Sequence, residues 1–291
     1  MNKRALWFVI IGLVCLQIGT FIYFTSKNSS SGPPSETVAK IGQAEVSREE
    51  WLARLEDRYG KETLEQMVNI RVVEELSKKY HVTVKESAID RELEMFKVSA
   101  NATENEGHET EKEWRKQIRY SILLEELLTK DVNVTEKEMK NYYLENKGQY
   151  AFKDAYHLSQ IKVSSKKQAD EVIKELKEGS SFQVLAEEHA SAEETQGDLG
   201  FLSQGHPSFP EEYLKEAASL KPGMYSEHPV KIKNGYAVLF LEEKIKGRTY
   251  SYNDVKEQIR RQLALEQIQG EISVKPLWKE AKAEWFYGQK D

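Results

Sequence analysis

The sequence predicts an α+β protein: an N-terminal transmembrane helix, an all-α module drawn from both ends of the remaining chain, and an inserted mixed domain with a four-stranded sheet and about four helices. Three observations predict it. Twenty largely apolar residues, 5–24, lie near the start; one helix-start signature recurs between Ser47 and Glu138; and from Ala155 the hydrophobic period changes from helical to strand-like. At 291 residues the chain is long enough for more than one core.

The apolar run ALWFVIIGLVCLQIGTFIYF follows Lys3 and Arg4. As a helix it is long enough to cross a hydrocarbon core of about 30 Å. Residues 1–27 are therefore expected to be a membrane anchor or signal-anchor. A cleaved signal peptide is the alternative, but the run is long for an h-region and no A-x-A-like site follows it. Lys3 and Arg4 on the short side place the N-terminus in the cytoplasm and the bulk of the chain outside, as a single-pass protein of the cell membrane. Cys15 is the only cysteine, so no intramolecular disulfide can form. It follows Val14 inside the run, unlike a lipid-attachment cysteine. A body without cysteine is compatible with an oxidising space.

Residues 28–36 belong to a Ser/Gly/Pro-rich linker, and the folded chain is expected from Thr37. Over 37–149 the pattern is helical. Ser47 with Glu50, Thr83 with Glu86, Thr110 with Glu113 and Thr135 with Glu138 each fit S/T-x-x-E, in which hydroxyl and carboxylate satisfy orphan amides at a helix start. Leu64, Met67, Val68 and Val72 share one stripe, as do Trp114, Ile118, Ile122 and Leu123. These stripes are expected to form the module's own core. Residues 100–110 have no period and read as a loop.

The mixed domain is expected over 150–247. The strand-like AYHLSQIKV leads to a helix carrying Ala169, Val172, Ile173 and Leu176 on one face. A second short helix, a GFLS strand, a helix opened by Pro210 and a KPG turn follow. The unit ends in VKIKNGYAVLFLEEK, two strands expected to join at Asn234-Gly235. Residues 248–291 return to helix, with Val255, Ile259 and Leu263 aligned, and are expected to pack on the N-terminal module.

Composition excludes some chemistry. A net charge of −6 offers no general attraction for nucleic acid. The six histidines show neither HxxxH nor HExxH spacing, and no Cys/His cluster exists, so no metal site is expected. There is no P-loop, G-x-G-x-x-G or G-x-S-x-G, and no cofactor is implied.

The order strand, helix, FQVLAEEHAS, GDLGF, EEYLKEAASLKPG and a last strand opened by NGY resembles the parvulin family of peptidyl-prolyl cis-trans isomerases. The segments AKIGQAEVSREEWLARLEDRYGKETLEQMV and SYNDVKEQIRRQLALEQ resemble the helical chaperone module of that family's extracytoplasmic foldases, the Gram-positive PrsA-like and SurA-like group. The resemblance covers nearly everything after residue 36. It implies rotation about the bond before proline, a barrier of about 18–20 kcal/mol, with no cofactor. An apolar cup for the proline ring and one or two polar groups that favour the twisted amide suffice.

Residue by residue, the resemblance places Leu199, Phe209 and Tyr213 in the cup. It places Gln160, Ala190 and Ala237 at the positions where the family carries histidine, cysteine or aspartate, and histidine. All of these polar positions are substituted, which implies a degenerate active site. Strand alternation turns His157 away from Gln160, toward a helix or solvent. The reading is a membrane-anchored isomerase and foldase for unfolded or partly folded exported proteins with X-Pro bonds, with room for a homodimer through the helical module. A non-catalytic holdase, or a tethered scaffold using a degenerate parvulin domain, is the alternative.

Overall fold

The computed structural model describes residues 36–99, 110–189, 197–203, 209–268 and 272–287. The apolar run 5–24, Ala190 and His206 lie outside the described residues. Among those described, no helix is long and apolar enough to cross a membrane. The chain divides into two compact units, 1–68 with 284–291, and 69–283.

In the first unit, β1 (Thr37–Ile41) and β2 (Ala44–Ser47) form an antiparallel hairpin. Helix α1 (Arg48–Leu55) follows, capped where the Ser47 Oγ accepts from the Glu50 amide at 3.1 Å. No residue of α1 is buried, and Trp51, Leu52 and Leu55 are exposed. Helix α2 (Lys61–Lys79) starts in this unit after one π turn and belongs to the second unit from Asn69 on.

In the second unit, α3 (Glu86–Ser99), α4 (Glu111–Thr129), α5 (Glu136–Glu145) and α9 (Tyr252–Glu266) pack together. Arg261 of α9 is buried and pairs with Glu92 of α3 at 2.6 Å and Glu125 of α4 at 2.9 Å. Burial alone would lower the Arg261 pKa; the surrounding carboxylates outweigh it and raise it. Val255 and Ile259 join Met139, Tyr150 and Tyr250 in an apolar cluster. A last short helix, α10 (Lys275–Ala281), docks through the Trp278 indole, which donates to Asn69 at 2.7 Å.

The expected capping signatures divide. Thr135 and Glu138 form the full reciprocal box. Thr110 caps α4 without a side-chain hydrogen bond. Thr83 caps nothing, because α3 starts later, at Glu86, with the Lys85 carbonyl taking its first amides. Two unexpected boxes occur, Ser251 with Asp254 at the start of α9 and Ser165 with Gln168 at the start of the helix Lys166–Lys177.

The mixed domain holds β4 (Ala155–Val163), α6 (Lys166–Lys177), α7 (Phe182–His189), β5 (Asp198–Ser203), α8 (Glu211–Ser219), β6 (Met224–Tyr225), β7 (Val230–Ile232) and β8 (Gly235–Ile245). A separate ribbon pairs β3 (Ala151–Phe152) with β9 (Arg248–Thr249). The sheet has five antiparallel strands, not the expected four, and three helices accompany it among the described residues. Both β6 and β7 pair with one edge of β8, separated by Ser226–Pro229. Proline has no amide to donate, so this edge is laid down in two short pieces.

The hairpin also differs by one residue. Ile232 pairs with Gly235, so Lys233 and Asn234 form the loop. Gly235 has a φ of 136°, and a Cβ there would lie 2.3 Å from the Val163 carbonyl oxygen, so glycine is required by close approach.

Candidate functional site

Strand β4 alternates its side chains between two covered faces. Tyr156 and Leu158 join Leu202, Tyr213, Ala237, Leu239 and Leu241 beneath α8. Ile161 and Val163 join Val172, Ile173, Leu176 and Leu185 beneath α6 and α7. Gln160 follows Leu158 by two residues and therefore points to the α8 face.

There Tyr213, 2% exposed, donates its hydroxyl to Gln160 Oε1 at 2.7 Å. Leu199 and Phe209 pack against the same cluster, and Ala237 lies within it, fully buried. The structure thus gathers Gln160, Leu199, Phe209, Tyr213 and Ala237 on one face of the sheet.

The G-D-L-G segment has a local logic. Gly197 has a φ of 71°, its carbonyl accepts from the Gln160 amide at 2.6 Å, and a Cβ there would lie 2.9 Å from the Gln160 carbonyl oxygen. Asp198 lies opposite Ser159, and Phe201 opposite His157, so β5 carries one extra residue between them. Gly200, with a φ of 67°, takes the left-handed conformation that such a bulge favours. The bulge lets Leu199 turn to the α8 face while Asp198 and Phe201 share the other.

On that other face His157 is 6% exposed, lies 2.8 Å from Asp198 Oδ1 through Nε2, and stacks on Phe201 at 4.9 Å. It is opposite Gln160 and buried, not solvent-facing. A second bulge, in β8, sets Glu243 opposite His157 and Leu241 opposite Leu158. Glu242 and Glu243 consequently both line a polar cleft of about 590 Å³ with His157, Ser159, Asp198 and Phe182. Ser159 donates to Glu242 at 2.9 Å, and the buried Lys97 of α3 reaches Glu243 at 2.8 Å and Glu111 at 2.7 Å. Burial alone would lower the Lys97 pKa; the two carboxylates outweigh it and raise it.

Sequence reasoning missed the His157–Asp198 pair. The one available signal was an aspartate between two turn-forming glycines, the residue type that bonds its own backbone two residues on. Among the described residues no three His, Cys, Asp or Glu side chains gather as a metal ion would require.

An antiparallel sheet covered by helices on both faces, with a glycine-shaped turn beside an apolar cluster, is the build that the parvulin resemblance implies. Residues 134–257 match the family described as the PPIC-type PPIASE domain. The chain is 45% identical over 295 residues to the putative peptidyl-prolyl cis-trans isomerase YacD of Bacillus subtilis strain 168, covering 100% of this chain and 99% of that one. It is 30% identical over 261 residues to foldase protein PrsA of Geobacillus sp. strain WCH70, covering 86% and 88%. The crystal structure of PrsA from Bacillus subtilis aligns with 89% of this chain and 96% of its own, at 25% identity and a TM-score of 0.33. The chain belongs to the parvulin-type, PPIC family of peptidyl-prolyl cis-trans isomerases, in its PrsA-like foldase branch.

Proposed function

We propose that this isomerase is held at the cell membrane by residues 5–24 and acts on exported proteins that are not yet folded. In this reading Leu199, Phe209 and Tyr213 hold the proline ring, and Gln160 replaces the family's first histidine as the polar group. The observation that carries it is the Tyr213–Gln160 hydrogen bond beside Leu199 and Phe209. With Oε1 engaged by Tyr213, Gln160 offers its amide N–H to the peptide carbonyl. A donor aimed at the twisting amide favours the transition state, and it does so without titrating. Ala190 and Ala237 contribute no polar group to the reaction, so the rate is expected to be modest.

The test is proline-limited refolding of a reduced, unfolded client with the full chain in detergent. Acceleration above buffer that is lost in Gln160→Ala and in Leu199→Ala is the expected result. No acceleration at high protein concentration would remove the catalytic reading.

The exposed Val38, Ile41, Trp51, Leu52, Leu55, Tyr59 and Met67 favour a second activity, holding unfolded chains. Aggregation of a client measured in the same samples separates the two. Suppression that persists in Leu199→Ala and fails in Trp51→Glu with Leu55→Glu assigns it to these residues.

A further inference from the structure

The pair buried on the far face of the sheet reaches the cup through one turn of backbone. Asp198 Oδ1 accepts the Gly200 amide at 2.8 Å and faces His157 Nε2 at 2.8 Å. Because that oxygen already serves as an acceptor and a carboxylate offers no proton, Nε2 carries the hydrogen. Between Asp198 and Gly200 stands Leu199. Gly197 and Gly200 both sit at positive φ, and glycine imposes little conformational preference of its own. The turn must therefore be held by its contacts: the Gln160 amide on the Gly197 carbonyl at one end, and the Asp198 carboxylate at the other. That carboxylate is in turn fixed by an imidazole that is itself buried and stacked on Phe201.

We infer that His157 is a positioning residue for the isomerase: from the far face of β4 it holds Asp198, and through Asp198 the turn that presents Leu199 to the proline. It touches no reacting atom. The inference rests on the reading of Leu199 as a wall of the cup, and the experiment keeps the two apart.

Isomerisation of a proline-containing peptide and affinity for that peptide are measured on the full chain in detergent. His157→Phe keeps a ring on Phe201 and removes the hydrogen bond. His157→Gln returns an amide donor near the place of Nε2. The Phe variant is expected to lose roughly tenfold in kcat/KM, mostly through KM, since a misplaced wall weakens binding of ground and transition states alike. The Gln variant is expected to recover most of that loss, which a merely space-filling role would not allow.

Leu199→Ala should fall by a similar factor, and the double variant His157→Phe with Leu199→Ala no further than Leu199→Ala alone. If His157→Phe does not fold, judged by its thermal transition, His157→Asn carries the test. Its donor is one methylene short of Asp198, and it should share the loss. Wild-type kcat/KM in the folded variants, no recovery in His157→Gln, or two losses that multiply in the double variant would overturn the inference. An unchanged rate in Leu199→Ala would overturn the cup instead. A wild-type chain that neither isomerises nor binds the peptide would overturn both.

Discussion

The two faces of the sheet use polar groups in opposite ways. On the α8 face, among Leu158, Tyr213, Ala237 and Leu239, the Gln160–Tyr213 pair is set into apolar surroundings. On the cleft face, polar contacts cluster: His157 with Asp198, Ser159 with Glu242, and Lys97 with Glu243. The first face carries one polar pair, Gln160 with Tyr213, within an apolar cluster. The second spends its polar groups holding turns and neighbouring helices in place, and each of its groups answers to another group of the protein.

Four changes would break or sharpen this contrast. The largest effect is expected on the α8 face. From the sequence, Gln160→His with Ala237→His looks like a restoration of the family's usual residues. Ala237 is fully buried and register-paired with Lys162 and Val230, so an imidazole there must displace neighbours. Overpacking of this kind costs about 1–3 kcal/mol. Urea unfolding of Ala237→His should show that loss, with no gain in isomerisation; an unperturbed midpoint would mean that the face has room for a second histidine.

Next is Lys97, which ties α3 to the cleft face. Its carboxylate partners remain partly solvated, so Lys97→Met is expected to cost about 1–2 kcal/mol rather than the larger penalty of a sealed pair. The pH dependence has a definite sign. The folded pKa is raised, so the pairing contributes fully below the ordinary lysine value of 10.5 and is lost as pH rises through the folded value. The stability gap between wild type and Lys97→Met should therefore close in strong alkali and stay open at neutral pH.

Tyr213→Phe keeps the ring and removes the hydroxyl from Gln160. It is expected to cost about 1 kcal/mol of stability and to lower kcat/KM by a few fold. Stability lost with full activity retained would make the pair structural and erase the contrast between the faces. Ser159→Ala, on the cleft face, is the smallest change. Its partner Glu242 can turn to water, so stability should move by less than about 0.5 kcal/mol and activity not at all, as equilibrium unfolding and the peptide assay can check.

Much of this architecture is legible in the sequence alone. Period-two alternation along AYHLSQIKV correctly sent His157 and Gln160 to opposite faces, because side-chain direction in a strand is a property of the backbone. The amphipathic stripe Ala169, Val172, Ile173 and Leu176 became the buried face of α6 for the same local reason. Other features were read imperfectly because the local signal was ambiguous. Gln168 and Asp254 complete capping boxes as well as glutamate does, and the S/T-x-x-E pattern does not include them. Thr83 fits the signature, but residues 82–85 lie outside any helix and α3 begins only at Glu86. Met224–Tyr225 is too short to carry a period, and became a strand only because β8 offered an edge.

The sequence by itself determined the order of the main elements, the buried stripe of α6, the opposite faces of His157 and Gln160 and the family, since these follow from residue types at fixed local spacing; it did not place every stripe, for Met67, expected in the core of the helical module, is exposed. Tertiary structure decided which distant residues meet. His157 and Asp198 stand 41 positions apart, and a bulge in each partner strand sets them side by side, with Glu243 opposite the histidine. A bulge shifts register by one residue and so changes which side chains share a face. That shift is fixed by how strands pair, and no short stretch of sequence contains it.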